Sequence, residues 1–260
     1  HVRTQTTIAS AAQHVSRAAP HNGTRAPFRR TADGAAARRR FLDRLVLAIN
    51  PGHARHSSRY EKAMQQRNRL LAGGVAADPL WLDALEAQMA ESGNFIQAAR
   101  IFVVEALSAQ LLTTMAGPFA TPQIRLIDKG ATGGEDLASV WRKERNRDAA
   151  AGRTLIGPHR ADLEVLHSAS GQVAEQCSTG EQKALLLSLI LAHAALVSAQ
   201  RNAPPILLLD EVAAHLDPSR RAALFGLLAD TGAQVWMTGT EPELFNGIGT
   251  SAQLLPIGQN

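Results

Sequence analysis

The sequence predicts an α/β chain: a parallel sheet with flanking helices, plus an inserted antiparallel helical arm. Three observations carry this. From residue 180 onward strand and helix patterns alternate, as parallel sheets require. Before residue 115 three long helical patterns are separated by Asn50-Pro51-Gly52 and Gly73-Gly74. Within the later part, Ile206-Leu207-Leu208-Leu209 reads as a strand buried on both faces, and it ends in Asp210-Glu211.

Residues 1–32 mix Ser, Thr, Ala, Arg and Pro without a period, and read as disordered or foreign to the fold. In 35–49, Phe41, Leu42, Leu45, Val46 and Ile49 recur at helical spacing. His53 to Leu71 forms a second, Arg-rich helix. Asp78-Pro79 opens a third, since Asp caps and Pro suits the first turn; it runs to about Met115, with a kink expected near Ser92-Gly93. Residues 121–128 read as a strand and 134–150 as a charged helix. Thr154 to Arg160 marks a strand and tight turn, and Asp162 to His167 alternates as a strand does. Gly180 to Gln200 is apolar nearly all round and is expected to be buried. Pro218 to Asp230 (helix), Gln234 to Thr238 (strand) and Glu241 to Phe245 (short helix) follow. The expected division is 1–32, an arm at 33–150 and a lobe at 151–260.

The 260 residues carry a formal charge of +4 and 45% apolar residues, enough for a sizeable core. The basic residues are nearly all Arg, the only lysines being Lys62, Lys129, Lys143 and Lys183. Arg forks match phosphate geometry, so the balance admits a nucleic-acid partner, although GC-rich coding gives the same composition. Cys177 is the only cysteine, which excludes an internal disulfide and points to a reducing compartment. No uninterrupted apolar run approaches the roughly 20 residues that span a bilayer, and the polar N-terminus lacks a signal-peptide core. A soluble, cytoplasmic protein is expected. The chain opens on His1 rather than Met, which suggests a stretch of a longer product.

Three short motifs carry chemistry. At the end of its buried strand Asp210 can hold a hydrated Mg²⁺, a hard ion that takes oxygen ligands. Glu211 beside it can polarise an attacking water; an ordinary acidic turn would look the same. Ser178-Thr179-Gly180-Glu181-Gln182 opens a helix where backbone N–H groups and the dipole favour an anion such as a γ-phosphate, or where Ser178 simply caps. In Ala214-His215-Leu216-Asp217-Pro218, Asp217 either caps the next helix or sits in a loop that crosses a dimer interface. A phosphate loop ending in Gly-Lys-Ser/Thr occurs nowhere in the chain.

Together the motifs resemble the ABC-type ATPase heads. Three further segments narrow the likeness. Gly34 followed by Arg38-Arg39-Arg40-Phe41-Leu42-Asp43 looks like the entry to the helical arm of the RecF family. Tyr60-Glu61-Lys62 with Gln66-Arg67-Asn68-Arg69-Leu70-Leu71 is similar to that family's first arm helices. Gly157-Pro158-His159-Arg160-Ala161-Asp162-Leu163 looks like its Gly-Pro-His-Arg-Asp-Asp-Leu segment, with Ala161 in place of an acidic residue. The resemblance covers about residues 34–260, the C-terminal two thirds of such a protein without its Walker A region.

The resemblance implies an SMC/Rad50-like ATPase that binds DNA at gaps or single-strand/double-strand junctions, forms an ATP-dependent homodimer and acts with RecR and RecO in recombinational gap repair. Single-stranded DNA binding and a place in the SOS response follow from the same likeness. Ser178, Gly180 and Gln182 would touch the γ-phosphate of ATP in trans, Asp210 would serve Mg²⁺ and Glu211 the water. Asp217 would lie in the dimer loop and Thr240 near the switch position of other heads. The family is a weak ATPase, and this stretch alone is expected to be inactive. Arg38, Arg39 and Arg40 at a helix start oppose the dipole, so a DNA phosphate or a carboxylate in the missing lobe selects them. Arg59, Arg67 and Arg69 would line a duplex-facing arm or a solvated helix face. His159 is expected to be a turn residue bonded to backbone, and no His/Cys cluster suggests zinc. The alternatives are a non-catalytic DNA- or protein-binding remnant and another SMC/Rad50-like ABC ATPase.

Overall fold

Helix stops and apolar stripes set the first half of the molecule. A computed structural model describes residues 34–73, 78–114, 119–128, 134–250 and 252–256; the readings made for residues 1–32, Gly74 and Met115 lie outside these. Helices α1 (Gly34–Ile49), α2 (His53–Ala72) and α3 (Pro79–Thr114) begin and end within a residue or two of the expected positions. The 36-residue α3 continues through Ser92-Gly93, where a kink was expected. Gly93 serves packing instead: a Cβ there would stand 3.3 Å from Pro158 and 3.4 Å from Leu137 and Tyr60. Helix α4 (Leu137–Ala151) is capped by Asp136, which accepts from Ser139 N–H at 3.0 Å, and ends on Gly152 at φ +66.

Apolar stripes divide these helices between two cores. Tyr60, Ala63, Leu85, Met89, Ile96, Leu137 and Trp141 join α2, α3 and α4 in one cluster, the arm. Helix α1 faces elsewhere. Its Leu42, Leu45 and Val46 pack on Val103, Leu107 and Leu111 of α3 and on the second half of the chain.

That second half supplies two small sheets. β1 (Pro122–Ile127) pairs antiparallel with β2 (Asp162–His167), with Pro122 opposite His167 and Ile127 opposite Asp162. This pairing crosses residue 150, where arm and lobe were expected to part. β3 (Leu207–Leu209) and β4 (Val235–Met237) pair in parallel, Leu207 opposite Val235, with α6 (Pro218–Asp230) between them in sequence. The parallel sheet comprises two strands among the described residues.

Helix α5 (Thr179–Arg201) stands between the cores, which explains why it is apolar all round. Leu185, Leu189, Ala192 and Leu196 enter the core shared with α1, α3 and β2. Ala184, Leu187, Leu191 and Ala194 enter a core with Leu207, Leu209, Leu224, Phe225 and Leu228. By length and composition α3 and α5 could each cross a membrane. Burial gives α5 a different explanation, and α3 carries the buried, ion-paired Glu86 and Arg100.

The arm holds one unexpected group. Arg67, expected to face DNA, is fully buried. Its Nε donates to Glu86 at 2.9 Å, its Nη1 to Asp148 at 2.6 Å and to Thr154 Oγ1 at 3.0 Å, and its Nη2 to the Trp141 carbonyl at 2.9 Å. One guanidinium thus ties α2 to α3, α4 and the segment after α4, where the strand expected from Thr154 does not form and only the turn Pro158–Arg160 does. A buried charge without partners is prohibitively costly, so the carboxylates are obligatory. Arg67→Ala is expected to lower the unfolding free energy by about 3–5 kcal/mol, because it strands buried carboxylates. Arg142→Ala removes only an exposed bridge to Asp83 and is expected to cost under about 1 kcal/mol. Urea denaturation of the two variants checks the contrast.

Candidate functional site

The carboxylate pair emerges where sequence reasoning put it, at the C-terminal end of a parallel strand. Leu207 and Leu209 point into the core, and Asp210 and Glu211 are exposed just beyond. The parallel neighbour β4 ends at the same level: Thr238 N–H donates to the Leu209 carbonyl at 3.0 Å. Thr238 then does two things with one hydroxyl. It donates to Asp210 Oδ1 and accepts from Glu211 N–H at 3.2 Å. Glu211 has φ +50, one of two positive-φ non-glycine residues among those described. Non-glycine residues adopt this region at a cost, usually where the surroundings hold them for a purpose. The result is two adjacent exposed carboxylates with a fixed backbone beneath them. No cluster of three or more metal-ligating side chains exists among the described residues. A divalent cation at Asp210 would therefore complete its shell with phosphate oxygens and water, as Mg²⁺ commonly does.

Sequence reasoning gave Thr238 no role and assigned one to Thr240 instead. Thr240 is exposed two residues further on. The strand register was the missing signal: the residue following β4 faces the residue following β3.

Ser178-Thr179-Gly180-Glu181 forms the exposed start of α5. Ser178 and Glu181 make a full capping box: Ser178 N–H donates to Glu181 Oε2 at 2.7 Å and Glu181 N–H to Ser178 Oγ at 3.3 Å. The Ser178 hydrogen bonds hold the Glu181 carboxyl below its usual range. Gln182 is half-buried and donates to the Cys177 carbonyl at 3.1 Å. Gly180 has neither a positive φ nor any atom within 4 Å of where a Cβ would stand. Nothing within the described chain requires glycine there, although glycine costs a helix roughly 1 kcal/mol relative to alanine. Asp217 caps α6, accepting from Arg220 N–H at 2.9 Å, with Pro218 next; its carboxylate remains exposed.

The arginines at the start of α1 divide. Arg38 forks onto Asp162 at 2.8 and 2.7 Å and also donates to Glu175. Arg39 donates to the Ala161 carbonyl at 3.3 Å. The carboxylates that select Arg38 thus lie in this same chain. Only Arg40 of the three is exposed, one turn before the exposed Arg44. One turn on, Asp43 accepts both nitrogens of a fork from Arg100 at 2.8 and 2.9 Å and one bond from His53 at 2.8 Å. Burial would raise the Asp43 carboxyl, but the His53 and Arg100 bonds outweigh it and hold it low. Arg100 also donates to the Pro158 carbonyl at 2.6 Å. Hence the 38–43 and 157–163 segments, far apart in sequence, form a single clasp.

The turn inside that clasp is tightly specified. Gly157 has φ +132, and a Cβ would stand 2.7 Å from Tyr60 Oη and 3.0 Å from Trp141, so only glycine fits. His159 donates from Nε2 to the Thr154 carbonyl at 3.0 Å, which leaves Nδ1 to accept from Tyr60 Oη at 2.7 Å. Burial pushes the His159 imidazole down and the Tyr60 phenol up, so both stay neutral. His159 is a turn residue, as expected.

Comparison with known proteins agrees with the motifs. A family described as "AAA domain, putative AbiEii toxin, Type IV TA system" matches residues 112–239. The DNA replication and repair protein RecF of Agrobacterium fabrum is 49% identical over 230 residues, covering 85% of this chain and 61% of that protein. The RecF of Brucella abortus is 49% identical over 236 residues, covering 86% of this chain and 61% of that protein. The chain thus spans about 61% of the length of these curated relatives. A solved structure of the recombination mediator protein RecF with ATP superposes with a TM-score of 0.68 at 22% identity, over 81% of this chain and 59% of that one. That likeness shows the fold.

Glu211→Gly is expected to raise the unfolding free energy by roughly 1 kcal/mol, because glycine removes the positive-φ penalty. Glu211→Ala deletes the same carboxylate without that relief and is expected to give no gain. Thermal unfolding of the two variants distinguishes a held backbone from an incidental turn.

Proposed function

From the alignment with RecF proteins along 85% of this chain, we propose that the chain is part of a RecF-like DNA replication and repair protein, in which ATP drives dimerisation and DNA binding. The observation that carries the reading is the Asp210–Glu211 pair, fixed by Thr238 at the open end of a parallel strand pair. Ligands of open α/β sheets sit at such ends. The exposed turn at Ser178 belongs to the helix that packs on the same strand, so one rigid lobe presents both elements.

In this reading Asp210 would hold Mg²⁺ bound to the phosphates of ATP, and the ion would neutralise charge there. Glu211 would orient the attacking water. Ser178, Gly180 and Gln182 would close over the γ-phosphate of ATP held by a second head, with the bare backbone at Gly180 admitting that close approach. Asp217 would lie at the dimer-facing loop, and Thr240 would act as the switch. Arg40, with its neighbour Arg44, is the arginine pair of α1 left free to meet DNA phosphates; Arg38 and Arg39 are engaged within the chain and Arg67 is enclosed. RecR and RecO as partners, gapped or junction DNA as substrate, single-strand binding, an SOS role and a cytoplasmic site belong to the same proposal.

A mixed-dimer assay tests it. A full-length RecF protein with its own signature turn disabled supplies the phosphate loop and its own catalytic carboxylate. Adding this chain is expected to restore ATP turnover at least about tenfold, a modest fraction of what one positioned phosphate contact contributes. Ser178→Arg in this chain is expected to abolish the rescue, whereas Glu211→Gln is expected to retain it, because Glu211 would serve a site in its own subunit. Absence of rescue, or rescue that survives Ser178→Arg, contradicts the proposal.

A further inference from the structure

Arg38 was expected to meet DNA, but its side chain is enclosed and engaged on two sides. It is 11% exposed, and its fork grips Asp162, itself 6% exposed, through Nε at 2.8 Å and Nη2 at 2.7 Å. The remaining nitrogen, Nη1, donates to Glu175, which is 34% exposed at the edge of a cleft also lined by Ile127, Val165 and Val173. These two partners have different roles. Asp162 opens β2 and belongs to the clasp described above. Glu175 lies in the single turn Ala174–Gln176, which leads through Cys177 directly into the cap residue Ser178.

From this geometry we infer that Arg38 is a positioning residue: through Glu175 it sets where the Ser178–Gln182 turn stands relative to the arm-entry helix α1. The inference rests on reading that turn as the phosphate-facing element. The neighbouring contacts explain why a tether is needed there. Ala174 and Cys177 are buried, and Val173 makes an isolated bridge to Leu166. These anchor the start and end of the short segment along the core. Ala174 and Cys177 share that core with Leu42, Leu45 and Val46 of α1, but apolar packing does not fix register. The Arg38–Glu175 bond adds a directional link to α1, and it is the more solvent-exposed of the two Arg38 pairs. A charge-assisted bond near the surface is weaker than the enclosed Asp162 pair, so the tether can yield while the clasp holds. Motion of α1, whose far side bears the exposed Arg40 and Arg44, would thereby reach the turn through one guanidinium. Lysine cannot replace it, because an ammonium lacks the planar fork that serves two carboxylates at once.

The test uses the whole chain and two substitutions. Hydrogen–deuterium exchange is followed in Glu175→Gln, which loosens the tether and leaves Arg38–Asp162 intact. Exchange across 177–183 is expected to quicken about tenfold, the loss of one charge-assisted bond, while 34–49 and 162–167 keep their protection. Arg38→Lys is expected to quicken 177–183 in the same way. Unchanged exchange at 177–183 in Glu175→Gln, or equal acceleration in all three segments, overturns the inference. A parallel measurement separates it from the proposal on which it rests. Wild-type chain is expected to associate with a full-length RecF protein only when ATP is present, and Glu175→Gln to do so at least about fivefold more weakly, somewhat less than the loss of the bond itself. No ATP-dependent association of the wild type sinks the phosphate-facing reading, and the exchange result still decides whether Arg38 sets the turn. Equal association of both proteins overturns the positioning role.

Discussion

A guanidinium cannot be left unpaired inside a protein, and this constraint organises the molecule. Arg67, Arg100 and Arg38 show it. Arg67 draws Glu86, Asp148, Thr154 and the Trp141 carbonyl onto one side chain and so closes the arm. Arg100 holds Asp43 of α1 and the Pro158 carbonyl together. Arg38 holds Asp162 and Glu175. Each fork joins segments that are distant in the chain. Arg67 and Arg38 each keep a second carboxylate when one is removed; remove the arginine and several acceptors are stranded. The apolar clusters supply the bulk of the burial, but they are indifferent to register in a way that bidentate pairs are not. The forks therefore fix how the arm-entry helix meets the turn at 157–163.

This gives the motifs a physical meaning. Arg38–Asp43 and Gly157–Leu163 were read as separate family marks, and they prove to be the two halves of one clasp. Gly157 lets Tyr60 and Trp141 approach the turn, and neutral His159 links Tyr60 to the Thr154 carbonyl. The clasp borders the core that receives one face of α5. The other face of α5 packs under the strand that carries Asp210 and Glu211. Packed contacts thus run from the clasp through α5 to the strand that carries the carboxylate pair.

Much of this was legible in the sequence. Helix limits followed from Asn50-Pro51-Gly52, Asp78-Pro79 and Ser178, because caps and breakers act locally. The all-apolar α5 announced its burial between two cores. The carboxylate-bearing strand was recognisable because parallel-sheet strands are apolar on both faces. The arginines were misread, because charge was taken as a sign of exposure. Their spacing held the correction: Arg67 continues the stripe of Tyr60 and Ala63, and Arg38 that of Leu42 and Leu45; Arg100, which sequence reasoning passed over, continues that of Ile96 and Val103. Off those stripes, Arg40 and Arg44 are exposed. Thr238 could not be found without strand register, since its two bonds depend on β3 and β4 ending level. Which carboxylate meets which arginine is likewise a long-range fact, Arg38 and Asp162 standing 124 positions apart in sequence, and local pattern does not contain it.

The central claim is that clasp and shared helix make the arm and the lobe bearing Asp210 and Glu211 one cooperative unit. Two reporters in one protein test it. Replacing Trp81 and Trp236 by Phe leaves Trp141, wholly buried in the arm core, as the fluorescent probe. Cys177, the only cysteine, is buried in the core beneath the Ser178 turn; its thiol reactivity reports on the other side of the clasp. In a urea titration, Trp141 fluorescence and Cys177 accessibility should change at the same midpoint. Loss of the Trp141 signal at a urea concentration where Cys177 stays protected would show that the two parts unfold separately, and would contradict the account.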